Sequence, residues 1–176
     1  MQNTILIFFV TMMMQTTTIF NFDSDSDVSQ WKVIDDIVMG GRSVGTFELD
    51  EQGHGVFKGK VSLENNGGFS SLHYRCQNIE TASHTKVVIR LKGDGKSYQF
   101  RIKDVLRNPY SYVAKFETTG DWETIEISLP EMYPAFRGRV LELPNFASNS
   151  IEEVAFLIGN KKEEHFQLII DSIVLL

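Results

Sequence analysis

The sequence predicts an all-β sandwich or barrel, and three observations carry that reading. Beyond residue 17, apolar and polar residues alternate through many short runs. Turn signals separate those runs at short intervals, the spacing expected of a sandwich or barrel. No stretch sustains a 3.6-residue apolar period. The 13 phenylalanines fit the same class, because aromatic rings suit a half-buried pleated surface.

Taken in order, the expected strands are residues 19–22, 31–34, 45–49, 55–63, 69–75, 85–92, 97–103, 112–117, 122–129, 154–158 and 166–175. The punctuation is Asp50-Glu51-Gln52-Gly53, Gly93-Asp94-Gly95, Thr119-Gly120-Asp121 and Gly159-Asn160-Lys161. Asn149-Ser150-Ile151-Glu152-Glu153 reads as one helical turn. Asp94-Gly95 has the composition of a two-residue type I′ turn, which would set Leu91 opposite Tyr98, Ile89 opposite Phe100 and Val87 opposite Ile102. A slip of one residue would break those apolar pairs, so the expectation is a registered hairpin. Its other face would carry a basic stripe of Lys86, Arg90, Lys92, Arg101 and Lys103, either a docking face for acidic groups or a solvated face paired with Glu117, Glu123 or Glu126.

The 176 residues suffice for one domain, assigned to residues 18–176, and 42% apolar with 23% charged residues is ordinary for a globular chain. A net charge of -6 argues against a general nucleic-acid binder. Cys76 is the single cysteine, which excludes an intramolecular disulfide and a thiolate zinc cluster; a small buried hydrophobe is its expected role. Residues 1–17 hold the apolar run Ile5-Leu6-Ile7-Phe8-Phe9-Val10 and then Met12, Met13 and Met14. That run is too short for a membrane span. It lacks the basic n-region and cleavage site of a signal peptide, and the arginines of a mitochondrial transit peptide. The expectation is a cytoplasmic protein whose first residues are dispensable to the fold, with an overextended start or a weak export signal as alternatives.

Few residues suggest chemistry. Asp23-Ser24-Asp25-Ser26-Asp27 opens like a calcium loop, but Val28 stands where glycine is needed and Ile34 where a bidentate glutamate is needed, so an EF-hand is excluded. His54, His73, His84 and His165 are scattered without zinc-ligand spacing. Ser43, Ser70 and Ser71 sit in glycine-rich turns without a G-x-S-x-G elbow. Trp31 and Trp122, with Tyr98, Tyr110 and Tyr112, could be stacking platforms, although aromatics in strands more often fill the core. No catalytic residue, metal ligand or cofactor is expected.

The distinctive feature is a pair of double-glycine segments: Asp35-Asp36-Ile37-Val38-Met39-Gly40-Gly41-Arg42-Ser43 and Asn65-Asn66-Gly67-Gly68-Phe69-Ser70-Ser71. Adjacent glycines imply positive φ or close approach by another group. Neither segment is a phosphate loop, since no Gly-Lys-Ser/Thr or GxGxxG follows. Asp35 and Asp36 would point to opposite sides of an extended chain. One of them is expected to accept hydrogen bonds from the loop backbone or from Arg42.

These segments, with Trp31, Phe57-Lys58-Gly59, Lys92-Gly93-Asp94-Gly95, Tyr98, Thr119-Gly120-Asp121-Trp122, Phe136-Arg137-Gly138-Arg139 and Phe166-Gln167-Leu168, resemble the complex I intermediate-associated protein 30 family. The resemblance runs from Phe20 to Leu176 and looks like a short, stand-alone bacterial form. It implies a jelly-roll β-sandwich of the galactose-binding-domain-like type. It also implies a non-enzymatic assembly factor or chaperone for NADH:ubiquinone oxidoreductase, with no catalytic residues. The implied partner is a protein, a respiratory-complex subunit or intermediate, engaging the two glycine loops. The residues expected to serve are Asp36, Met39, Gly40, Gly41, Arg42, Ser43, Gly67, Gly68, Phe69, Ser70 and Arg137. A carbohydrate- or small-ligand-binding module is the alternative reading, by analogy of fold alone. An enzyme acting on a nucleotide or sugar ranks last.

Overall fold

Strands dominate the computed structural model, which describes residues 15–176. The apolar run at residues 5–10, and the expectations attached to it, lie outside the described residues. Numbered along the chain, the strands form two antiparallel sheets. One contains β1 (Thr17–Asn21), β3 (Val44–Leu49), β4 (Gly55–Val61), β6 (Lys86–Lys92), β9 (Trp122–Ser128) and β13 (Glu164–Leu175). Its order is β3-β4-β13-β6-β9, with β1 beside the C-terminal part of β13. The other contains β2 (Trp31–Asp35), β5 (Ser70–Glu80), β7 (Ser97–Lys103), β8 (Ser111–Glu117), β10 (Tyr133–Phe136), β11 (Arg139–Val140) and β12 (Ser150–Ile158), in the order β11-β10-β8-β7-β12-β5-β2.

Alternation explains how the sheets stack. Val87, Ile89 and Leu91 of β6, with Leu168, Ile170 and Ile173 of β13, face inward from the first sheet. Tyr98, Phe100 and Ile102 of β7, with Val154, Phe156 and Ile158 of β12, face them from the second. Each such side chain contributes about 1.5–3 kcal/mol when fully buried. Trp31 belongs to this core: its ring packs against Phe20, Phe22, Phe47 and Tyr74. Cys76 packs half-buried against the same core, and burial pushes its thiol up to about 11, the behaviour of an unreactive hydrophobe.

The Asp94-Gly95 hairpin does not form. β6 and β7 belong to different sheets, so the chain crosses the sandwich at residues 93–96. Ile89 pairs with Ile173 and Ile125, and Phe100 pairs with Phe156 and Ala114. Two strands with apolar residues in matching positions satisfy their pattern equally well side by side or face to face across a core. The arch selects the second arrangement. Asp94 accepts hydrogen bonds from Tyr98 Oη at 3.0 Å and from the Gln167 amide at 2.9 Å, and Thr118 Oγ1 accepts from the amides of Gly95 and Lys96. A Cβ on Gly93 would lie 2.3 Å from Thr118 Cβ, so only glycine turns this corner.

The crossing also divides the basic stripe. Lys86, Arg90 and Lys92 lie on the six-stranded sheet, Arg101 and Lys103 on the seven-stranded one. Lys86 pairs with Glu126 at 2.7 Å, and Arg90 sits 5.2 Å over the Trp122 ring. Residues 150–153 begin β12 in a bulge rather than forming a helical turn, because pairing with β5 continues through Ile151. β10 and β11 were not anticipated: one has four residues including Pro134, the other two, too few for a period-2 signal.

Candidate functional site

The two double-glycine loops meet, and Asp36 joins them. β2 ends at Asp35, and the chain tightens into a short 3-10 turn, Asp36–Met39. Within the first loop, Asp36 Oδ1 accepts from the Ser43 amide at 2.9 Å and Oδ2 from Ser43 Oγ at 2.5 Å. From the second loop the same Oδ2 receives the Gly68 amide at 2.6 Å and the Phe69 amide at 3.2 Å. Asp36 is fully buried. Desolvation alone would raise its carboxyl, but the hydrogen bonds from Ser43, Gly68 and Phe69 outweigh it and hold the group below the ordinary carboxylate value. Asp35 points the other way, accepting from Ser70 Oγ at 2.5 Å and from the Gly45 amide at 3.0 Å. The adjacent aspartates thus clasp different partners.

The glycines of each pair have different duties. Gly40 has φ +89° with open space around its Cβ position, so its requirement is conformational. Gly41 needs space: a Cβ there would lie 2.2 Å from Asp36 Oδ1. In the second loop, a Cβ on Gly67 would lie 2.6 Å from Asp36 Oδ2, while Gly68 has φ +137°. Arg42 bonds neither aspartate. Its guanidinium pairs with Glu64 of the second loop at 3.1 Å, with both side chains more than half exposed. Exposed pairs of this kind contribute under about 1 kcal/mol. Arg42→Ala is therefore expected to leave the thermal unfolding midpoint within a few degrees of wild type; a collapse of the domain would show that the pair is structural.

The clasp forms one wall of an open groove of about 480 Å³ over the outer face of the seven-stranded sheet. Met39, Gly67, Gly68 and Phe69 line that wall together with Ile34. Phe136, Arg137 and Gly138, following β10, line the opposite wall. Arg137 has φ 48°, and its guanidinium lies 5.2 Å over the Phe136 ring. The floor comes from outward positions of the central strands: Ser71 and His73 of β5, Leu157 of β12, Gln99 and Arg101 of β7 and Ser111 of β8. His73 and Arg101 both pair with Ala155, whose small side chain separates them across the floor. Of the residues singled out from the sequence, Met39, Gly67, Gly68, Phe69 and Arg137 line the groove. Asp36, Ser43 and Ser70 are fully buried, and their polar atoms are engaged within the clasp.

The floor holds a chain of polar groups that the sequence did not reveal. Ser71 Oγ lies 3.0 Å from His73 Nε2, and His73 Nδ1 lies 3.1 Å from Glu153 Oε1. Hydroxyl, imidazole and carboxylate in this order resemble a nucleophile, its base and an orienting acid. Two features weaken the likeness. Ser71 is 2% exposed, and the Ile34 carbonyl oxygen, 2.8 Å away, competes with the imidazole for the hydroxyl's single proton. Only the i, i+2 spacing of Ser71 and His73 on one strand face hinted at the pair; Glu153 arrives from β12 through sheet pairing.

Arg101 is the notable charge of the floor. Its Nε and Nη2 donate to Gln99 Oε1 at 3.1 and 2.7 Å, and no carboxylate lies within ion-pair distance among the described residues. Burial weakens its hold on the proton, consistent with a charge set in a partly desolvated floor.

Two antiparallel sheets stacked face to face, with an open groove across one outer face, make this a protein of the β-sandwich class. The chain belongs to the complex I intermediate-associated protein 30 family, whose sequence profile matches residues 20–170. It is 24% identical over 171 residues to the mitochondrial complex I intermediate-associated protein 30 of Drosophila melanogaster; the match covers 84% of this chain and 58% of the fly protein. Among solved structures, the fold is similar to a family 11 carbohydrate-binding module from Clostridium thermocellum in complex with a β-1,3-1,4-mixed-linked tetrasaccharide. That likeness has a TM-score of 0.65 at 16% identity, over 88% of this chain and 92% of the module. The family 11 module of a cellulosomal cellulase from the same organism gives a TM-score of 0.68 at 14% identity, over 92% and 94% of the two chains. An agarase gives 0.57 at 11% identity, over 91% of this chain and 24% of the enzyme. At these identities the likeness concerns the fold. Among the described residues, no helix is long and apolar enough to cross a membrane.

Proposed function

We propose that this protein is a non-enzymatic assembly factor or chaperone that holds a polypeptide of incompletely assembled NADH:ubiquinone oxidoreductase (complex I) in the groove over its seven-stranded sheet. The observation that carries the reading is the chemistry of the walls. Met39 is 54% and Phe136 38% exposed, with Ile37 and Val38 beside the first and Val140 and Leu143 near the second. An exposed thioether on one wall and an exposed aromatic ring on the other, with further exposed apolar side chains outside the lining, suit a polypeptide with apolar anchors. The partner would leave when a later subunit competes for the surface it shows to the groove. The same reading puts the protein in the cytoplasm, held near the membrane through its partner.

The fold of the carbohydrate-binding modules favours a second reading, a glycan in the groove, and its hydrogen-bonding floor would suit sugar hydroxyls. A sugar ring is usually covered by a flat aromatic face with a polar edge, and the aromatic residues lining the groove are Phe69 and Phe136, with no tyrosine or tryptophan among them. Trp31 is buried, and Trp122 lies on the other sheet.

The test is affinity purification from the native host with wild type and with Met39→Lys, Phe136→Lys and Arg42→Ala, using Arg107→Ala as control. Complex I subunits should accompany the wild type and the control. Loss of an apolar anchor should cost about 1–3 kcal/mol of binding and deplete them, with thermal unfolding unchanged. Retention of a mixed-linkage glucan in affinity electrophoresis, without respiratory subunits, would sink the proposal. A fluorophosphonate probe should leave Ser71 unmodified; labelling that depends on His73 would instead establish a nucleophile.

A further inference from the structure

The groove has a charge as well as a shape. Its lining includes Arg101, Arg137 and His73 but no aspartate or glutamate, in a chain that carries 23 acidic residues and a net charge of -6. A neighbouring depression of about 250 Å³ shares Gln99, Leu157 and Gly159 with the groove and adds Lys115 and Lys161, again with no carboxylate among its lining. Two carboxylates lie behind the lining and are already engaged: Glu153, whose side chain is 10% exposed, faces His73 at 3.1 Å and Arg75 at 3.8 Å, and the fully buried Asp36 is held by the loop amides and Ser43. Elsewhere several basic side chains do have acidic neighbours, Arg42 with Glu64, Lys58 with Glu48, Lys86 with Glu126 and Arg90 with Asp171, so what sets the groove apart is the clustering of cations along a lining without carboxylates.

We infer that the segment held in this groove is acidic, an extended polypeptide that alternates apolar side chains with carboxylates and places one carboxylate on Arg101. The inference rests on the polypeptide-binding reading and specifies its partner. A cleft lined by one sign of charge and flanked by low-dielectric walls concentrates the opposite charge. A guanidinium presents a planar set of donors that matches a carboxylate. On Arg101 two of those donors are turned to the neutral Gln99 amide, which orients the group without neutralising it. The apolar walls take the alternate side chains, and Lys115 and Lys161 continue the positive track beyond the groove, which suits more than one carboxylate.

The test uses the full chain, isotope-labelled for amide NMR, and three capped eight-residue peptides in which leucine alternates with glutamate, glutamine or lysine. The glutamate peptide should shift the amides of Ser71, His73, Gln99, Arg101 and Leu157 and bind about tenfold more tightly than the glutamine peptide at low salt. That advantage should shrink at 500 mM salt. Arg101→Gln should bring the glutamate peptide down to the glutamine peptide's affinity, and Arg137→Gln, on a surface turn, should reduce the preference without disturbing the fold. Equal binding of the glutamate and glutamine peptides would overturn the acidic partner while leaving polypeptide docking in place. If no peptide shifts these amides but a mixed-linkage glucan does, the polypeptide reading itself fails.

Discussion

Replacing Asp36 with alanine is expected to lower the melting temperature by roughly 10 °C, the largest effect of any single change at the loop clasp. Four hydrogen bonds end on this fully buried carboxylate, one of them at 2.5 Å and another at 2.6 Å. Removing the acceptor leaves the buried Ser43 amide unpaired, at about 1–3 kcal/mol, and frees the part-buried amides of Gly68 and Phe69 at the groove wall, at less for each. Partial relaxation makes a net loss of about 3–4 kcal/mol reasonable, and at this chain length each kcal/mol moves the midpoint by about 2–4 °C. Asp36→Asn should recover little of it, because an amide nitrogen would face donors on one side. The effect also has a pH signature. Because the folded carboxyl titrates below its unfolded value, its contribution is complete above about pH 4 and is lost as pH falls through the folded value. The stability gap between wild type and Asp36→Ala should therefore be constant from pH 5 to 8 and close on acidification. A gap that persists into strong acid would mean that the carboxylate is not what the loops depend on.

Gly41→Ala should come next, at about 2–3 kcal/mol, measured by denaturant unfolding. Its Cβ would stand 2.2 Å from Asp36 Oδ1 and 2.4 Å from Cγ, and that carboxylate is held by four bonds and cannot turn away. Gly40→Ala, one residue earlier, meets nothing within 4 Å and carries only the cost of positive φ, roughly 1 kcal/mol. Coupling provides the sharper test. In the Asp36→Ala background the carboxylate is gone and the nearest remaining atom is the Cβ of residue 36 at 2.9 Å, so the added cost of Gly41→Ala should fall below half. Additive losses would show that Gly41 is needed for a reason unrelated to Asp36.

Both experiments concern a feature that was half legible in the sequence. Two adjacent glycines announced positive φ or close approach, and each pair uses one glycine for each purpose. Adjacent aspartates on an extended segment had to diverge, and they do: Asp35 bonds Ser70 and Gly45, Asp36 bonds Ser43, Gly68 and Phe69. The partner of Arg42 was not legible, since Glu64 lies in the other loop and a charge pair leaves no trace in local spacing.

By itself the sequence determined which residues face the core, because the side-chain period of a strand is a local property. It also determined the class of fold, since short alternating runs with frequent turns fit a sandwich or barrel. Tertiary structure alone decided which strands are neighbours. Ile89 and Phe100 occupy matching positions in either a hairpin or an arch, and the anchoring of Asp94 and Thr118 sends β6 and β7 to opposite sheets. The groove follows from the same decision. Ser71, His73, Gln99 and Arg101 come from two strands separated by β12, and they form one floor only because the sheet order is β7-β12-β5. A binding surface of this kind is a property of strand order, which depends on long-range packing that no local pattern records.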